Sequence, residues 1–286
     1  MKTVFITGAS TGIGHATAIH LSRNGFLVFA GVRKTSDADR LTREGGDNVV
    51  PVAIDVTDGA SIRTAVESVR PRLAVRGLDG LVNNAGIGIS GPVEHVTTET
   101  LRHQFEVNVF GQIAVTQAFL PLIRQGRGRI VNMGSVGSHI SMPFGGALCA
   151  SKSAFLSLND ALRLELHPFG IHVSMIEPAA IHTPAADKML GDVDAVIAAL
   201  PPEGKVRYGD MLREFTRRAY EREQAGSPPE VVAEAVLHAL TDDHPRARYP
   251  VGKYSRVLVN IPRFLPDGLL DRIRYRLFGL PASAEG

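Results

Sequence analysis

The chain has 286 residues, 44% of them hydrophobic, enough to bury a full core. Its formal net charge of +2 gives no electrostatic support to nucleic-acid binding, and no motif for it is present. One cysteine, Cys149, excludes an intrachain disulfide and fits a reducing, cytoplasmic compartment.

From the first residue, Val4-Phe5-Ile6 is cut off by Thr7 and Gly8, too early for the core of a secretory leader. No stretch reaches about 18 uninterrupted apolar residues, so no transmembrane helix is expected. Short Val- and Ile-rich runs at 3–6, 27–31, 49–54, 80–82, 129–132 and 172–176 read as buried parallel strands, with a last strand near 248–251. Amphipathic stretches at 15–23, 61–73, 98–125 and 150–167 separate them. This alternation predicts a single α/β domain over 1–286. The expected fold is a doubly wound, Rossmann-type parallel sheet of about seven strands with helices on both faces.

Residues 185–226 interrupt the alternation. They are polar and helical, broken at Pro201-Pro202, and read as a lid over the sheet's carboxyl edge rather than a surface helical pair. Ser227-Pro228-Pro229-Glu230 predicts a helix start with Ser227 as the cap. Residues 253–286 form a tail. Its apolar positions are mixed with Lys253, Arg256, Arg263, Arg272, Arg274 and Arg276, so it packs on the body or lies on a membrane surface.

Chemistry begins at Thr7-Gly8-Ala9-Ser10-Thr11-Gly12-Ile13-Gly14, between the first strand and the first helix. Glycines remove the Cβ atoms that would block a pyrophosphate, and the helix N-terminus offers it free N–H groups. The second strand ends Gly31-Val32-Arg33-Lys34, where an NAD-selecting fold usually has an acid. A guanidinium pairs with a 2′-phosphate, so Arg33 predicts NADP (NADPH) over NAD. Asp55 by itself reads as a helix-capping aspartate.

The spacing Gly8-x-x-x-Gly12-x-Gly14, with Asn83-Asn84-Ala85-Gly86 after the fourth strand, resembles the short-chain dehydrogenase/reductase family. The resemblance runs motif by motif over about 1–184. It implies that Gly8, Ser10, Thr11, Gly12, Ile13 and Gly14 cradle the dinucleotide. Asp55 and Val56 would meet the adenine, and Asn83, Ala85 and Gly86 would line the cleft. Pro178, Ile181 and Thr183 would lie at the nicotinamide. It also implies a catalytic asparagine, serine, tyrosine and lysine. Asn108, Ser135 and Lys152 match three of them; Leu148 stands at the tyrosine position.

Positions 148 and 152 are one helical turn apart, so a tyrosine there would have its pKa lowered by the lysine. Leucine can neither give nor take a proton. The chain is then a weak or non-catalytic relative, or a variant of an active enzyme, or another group supplies the proton, with His139 and His182 flanking the cleft. Ala179 replaces a family glycine, at a cost of about 1 kcal/mol only if the position needs positive φ.

The tail is similar to those of steroid- and retinol-type members. With Ile140, Met142, Phe144 and Met189 near the expected cleft, it suggests an apolar alcohol or carbonyl substrate. The resemblance further implies a homodimer or homotetramer. No metal is called for. The alternative to an oxidoreductase is a dinucleotide-binding sensor or oligomer partner without turnover.

Overall fold

The computed structural model describes residues 1–73 and 75–280, with the side chains at 35, 185–191 and 263 left aside. Met189, Arg263 and the end of the tail, 281–286, therefore lie outside the described residues.

Seven strands form one parallel sheet: β1 Lys2–Ile6, β2 Phe26–Val32, β3 Val49–Ala53, β4 Gly80–Asn83, β5 Arg129–Met133, β6 Val173–Pro178 and β7 Arg248–Val251. Their order is β3-β2-β1-β4-β5-β6-β7, with every pairing parallel. The central strands are buried on both faces, which is why each reads as a continuous apolar run. The order reverses between β1 and β4. In such sheets the crevice outside the carboxyl ends at the reversal is where ligands bind. The glycine turn leaves β1 there, and the Asn83–Gly86 segment leaves β4 beside it.

Helices α1 (Gly12–Arg23), α2 (Thr35–Gly45) and α9 (Glu230–Thr241) bury apolar side chains on one face of the sheet. Helices α3 (Gly59–Leu73) and α5 (Gly111–Gly126) cover the other, together with the end of α6 (Gly146–Leu166). Phe5 of β1 meets Phe119 of α5 with ring centroids 4.4 Å apart at the centre of that face.

The helix expected at 98–125 is continuous but not uniform. Helix α4 (Thr98–Phe105) passes through a wider π-type turn, Glu106–Phe110, into α5. Together, Thr98–Gly126 is long and apolar enough to cross a membrane by length and composition, a property that uninterrupted apolar runs did not reveal. More than half of its most apolar window is buried inside the protein, as a core helix is.

Helices α7 (Pro184–Ala199) and α8 (Pro202–Gln224) occupy the polar helical stretch 185–226, with the break at the two prolines. Helix α8 packs on the loops after β4 and β5. The Tyr208 ring lies edge-on to His95 and Phe144, and Phe215 packs on Phe144. The pair thus stands over the carboxyl edge.

The capping expectation at Ser227 fails. The N-cap position of α9 is Pro229, with no side-chain cap. Ser227 is spent on a bridge to Ile181: its N–H donates to the Ala180 carbonyl (3.1 Å), and its carbonyl accepts from the His182 N–H (2.9 Å). The return of the helical pair is thereby tied to the segment after β6. Helices α10 (Ser255–Phe264) and α11 (Asp267–Phe278) complete the described chain.

Candidate active site

The glycine turn is built by contacts that leave no room for side chains. Gly8 has φ +64°, and a Cβ there would come within 2.8 Å of Ala85 Cα. A Cβ on Gly14 would lie 2.2 Å from the Gly8 carbonyl oxygen and 2.4 Å from Asn84 Nδ2. A Cβ on Gly12, at φ +56°, would lie 3.5 Å from Thr183. A residue expected at the pyrophosphate and one expected at the nicotinamide thus come together at the mouth of the turn. Thr7 and Asn84 lock it. Thr7 Oγ1 accepts from the N–H groups of Asn84 and Ala85 (2.9 Å each), while Asn84 Nδ2 donates to the carbonyls of Thr7 and Gly8 (3.0 Å each).

The turn fits a dinucleotide on grounds internal to this structure. Thr11 stands at the N-cap of α1 with its side chain unused as a cap, so the first turn's N–H groups are open to an anion. Arg33, exposed at the end of β2, contributes to holding the Asp55 carboxyl below its usual range; hydrogen bonds from Thr57 are the larger cause. Arg40 of α2 was not expected at the site. Its guanidinium donates to the Ser10 carbonyl, and its buried Nε has no partner. An orphaned buried guanidinium N–H beside a glycine turn is what a phosphate oxygen would satisfy. Nothing in the pattern around Arg40 signals this, because the contact is made only when α2 folds back over the turn.

Asp55 and Val56 end up beside one another after β3, but Asp55 is not the helix cap. Its carboxylate closes a local turn onto Thr57, and Asp58 accepts from Ala60 at the start of α3. Ala85 and Gly86 follow the end of β4, Ala85 against Gly8 and Gly86 near Asn108 and Lys152. Asn83 points into the core instead: its side chain is buried, donating to Thr116 Oγ1 and Asn132 Oδ1 (2.8 Å each). The asparagine that reaches the glycine turn is the next one, Asn84. Residues alternate across a strand, so one position decides between core and cleft.

Helix α6 begins four residues before the expected start, at Gly146, and carries Leu148 and Lys152 one turn apart. Lys152 is buried, and its ammonium donates to the Met133 carbonyl (2.7 Å) at the end of β5. Burial lowers its pKa to about 8. Leu148 is half-buried; its Cδ2 lies 3.6 Å from where a Cβ on Gly88 would be. Ser135, at the mouth of β5, accepts from the Gly137 N–H (3.0 Å), which leaves its hydroxyl proton for another acceptor.

Asn108 sits in the π-type turn, fully buried. It accepts from Ile87 N–H (2.9 Å) and donates to the Ile87 carbonyl (2.9 Å) and Ser151 Oγ (3.1 Å). Its side chain therefore clamps the loop after β4 to α6 and positions Lys152 indirectly. Gln104, unflagged by sequence, does the same one turn earlier by bonding Ile87 and Ile89.

Of the two candidate histidines, His139 is engaged: its Nε2 lies 2.6 Å from Glu177 Oε1, and that carboxylate is wholly buried. His182 is exposed. Pro178 and Ile181 are buried at the end of β6 and beyond it. Ala179 is not among the positive-φ residues, so alanine there carries no backbone strain.

A glycine turn at the sheet's reversal point, with a buried lysine and a half-buried serine at the carboxyl edge, defines an oxidoreductase that uses a nicotinamide dinucleotide. The chain belongs to the short-chain dehydrogenase family, whose model matches residues 2–193. It is 34% identical to retinol dehydrogenase 5 of Mus musculus, over 98% of this chain and 90% of that one. It is 36% identical to 17-beta-hydroxysteroid dehydrogenase type 6 of Bos taurus, over 99% and 90%. A crystal structure of 3-ketoacyl-(acyl-carrier-protein) reductase from Brucella melitensis complexed with NADH superposes with TM-score 0.70 at 25% identity, covering 87% of this chain and 95% of that one.

Proposed function

We propose that this protein is an NADP(H)-dependent oxidoreductase of apolar alcohols and their carbonyl partners, with proton transfer weakened by Leu148. The observation that carries the reading is Lys152, buried and one turn from Leu148 at the carboxyl edge of the sheet. A buried ammonium with no carboxylate partner among the described residues is costly and is kept where chemistry uses it.

Gly8, Gly12 and Gly14 would admit the pyrophosphate, with Arg33 and Arg40 at a 2′-phosphate and Thr183 at the nicotinamide. When bound, the dinucleotide supplies the hydride. Ser135 holds the substrate oxygen through its free hydroxyl proton. Lys152 fixes a positive charge beside the reaction centre. The family's tyrosine would complete the set as acid and base, and Leu148 removes it. The retinol and steroid dehydrogenase names of the relatives, with Ile140, Met142 and Phe144 gathered beside α6, favour an apolar substrate.

The deciding experiment compares the chain with Leu148→Tyr in NADPH oxidation across a panel of retinoid, steroid and sugar carbonyls. The tyrosine should raise kcat on the order of 10²–10⁴-fold on apolar members. Equal rates in both forms would show that another group carries the proton. Absence of turnover in both, with NADPH still bound, would replace the enzyme reading by the second one, a non-catalytic dinucleotide sensor.

Two surfaces support wider associations. Phe110, Leu158 and Leu164 are exposed on the α5–α6 side, which favours pairing with a second copy. Along α10 and α11, exposed Tyr254, Val257, Phe264 and Leu269 alternate with Arg256 and Arg272, a pattern suited to the surface of an anionic membrane.

A further inference from the structure

Backbone support for Ser135 from β6 runs out one residue before it. The last bond between β5 and β6 is donated by the Gly134 N–H to the Ile176 carbonyl (2.7 Å). Past that point β6 stays paired with β7 through Glu177 and Pro178, while the chain after β5 turns away in a single tight helical turn, Val136–Ser138. Ser135 is the N-cap of that turn and His139 its C-cap. The serine Oγ accepts from the Gly137 N–H (3.0 Å), and the serine carbonyl accepts from the Ser138 N–H (3.0 Å). The turn therefore sets the direction of the Ser135 hydroxyl, and whatever holds the turn aims it.

Two side-chain bonds hold it. Ser153 of α6 donates to the Ser138 carbonyl (2.9 Å). At the far end of the turn, His139 Nε2 lies 2.6 Å from Glu177 Oε1 of β6. A carboxylate can only accept, so the imidazole N–H is the donor. The histidine side chain is 10% exposed and the carboxylate is wholly buried. Glu177 has little else to bind. Its Oε2 is buried without a hydrogen-bond partner among the described residues. The Arg248 guanidinium of β7 stands 3.9 Å from Oε1 and donates instead to Asp160 of α6 (2.5 Å). A buried carboxylate with one hydrogen bond is costly, and without His139 it would have none. An apolar pair of similar size would join two parting segments at no loss of stability. What the polar pair adds is direction, and it adds it at the end of the turn that Ser135 caps.

We propose that His139 and Glu177 are positioning residues: their bond pins the turn Val136–Ser138 to β6 and thereby aims the Ser135 hydroxyl at the substrate oxygen. The inference rests on the reading above, in which Ser135 holds that oxygen, and adds to it what fixes the serine. It asks neither side chain to touch substrate or dinucleotide.

Two measurements test it. Amide hydrogen exchange reads the pin in the chain as it stands. The double variant His139→Leu/Glu177→Met removes the bond and leaves no buried carboxylate orphaned, so the melting midpoint should hold. Exchange at Gly137, Ser138 and His139 should quicken about tenfold while the amides of α6 keep their rates. Unchanged exchange would overturn the proposal. Turnover of apolar carbonyls, in the chain carrying Leu148→Tyr, reads the aim. There the double variant should lower kcat about 100-fold and leave KM for NADPH within about twofold. His139→Gln, whose amide N–H can reach Glu177 from the same side, should keep most of the rate. A merely structural staple would leave the folded double variant with full kcat, which overturns the proposal. So does a rise in KM for NADPH as large as the fall in kcat, since the pair would then serve the dinucleotide. If the Leu148→Tyr chain turns nothing over although exchange quickens, the enzyme reading has failed first, and the aiming of a substrate oxygen falls with it.

Discussion

Leu148 and Lys152 share one turn of one helix and make opposite demands on it. The leucine is at home, half-buried against Gly88. The lysine is not: it is buried with one hydrogen bond, to Met133, and a pKa lowered to about 8. Below pH 8 both folded and unfolded chains hold its proton, and the fold bears the whole cost of burying the charge. Between about 8 and 10.5 only the unfolded chain holds it, so stability should rise with pH across that window. Lys152→Met should therefore raise stability at pH 7 by about 2 kcal/mol, after the lost bond to Met133 is counted, and flatten the rise above pH 8. Urea midpoints at pH 7 and 9.5 measure both effects. A variant no more stable at pH 7 would mean that the ammonium is better solvated than its burial implies.

Single residues also show where sequence ran out. Gly8, Gly12, Gly14, Ser135 and Lys152 were legible because each sits at a fixed offset from a strand or along a helix. Asn83 and Asn84 are adjacent and chemically identical, and only strand phase told which one faces the cleft. Ala179 could not be judged without its φ.

Among the elements, the strands were the most legible. Seven short apolar runs became seven strands, with ends shifted by at most two residues in either direction. Helix starts were less so. Ser227 had the form of a cap, but a cap must face the helix, and this serine is drawn off by Ile181. Helix α2 supplies what sequence did not: Arg40 folded over Ser10. In the proposed NADP reading two cations from different elements would flank the 2′ position, and their loss should be separable. Arg33→Ala and Arg40→Ala should each weaken NADPH binding by tenfold or more and leave NADH nearly unchanged. Calorimetric titration with both nucleotides checks this. Equal losses for both would place the arginines at the pyrophosphate instead.

Over the whole molecule, charge is nearly balanced, and the proposed pairing of two copies would rest on apolar surface. Leu164 is 63% exposed and Phe110 56% on the same side of the sheet. If a second copy covers them, Leu164→Glu should shift the protein to a smaller species in light scattering after gel filtration, with little change in monomer stability. An unchanged mass would remove this face as the interface.

The sequence by itself determined the parallel sheet, the dinucleotide turn and the family, because these depend on local period and fixed spacing. Tertiary structure decided which groups meet across long separations. Thr183 faces Gly12, Arg40 reaches Ser10, Asn108 clamps Ile87, and Tyr208 of α8 joins Glu94 of the loop after β4. Such pairings follow from how helices cross a twisted sheet, and no periodicity along the chain encodes them.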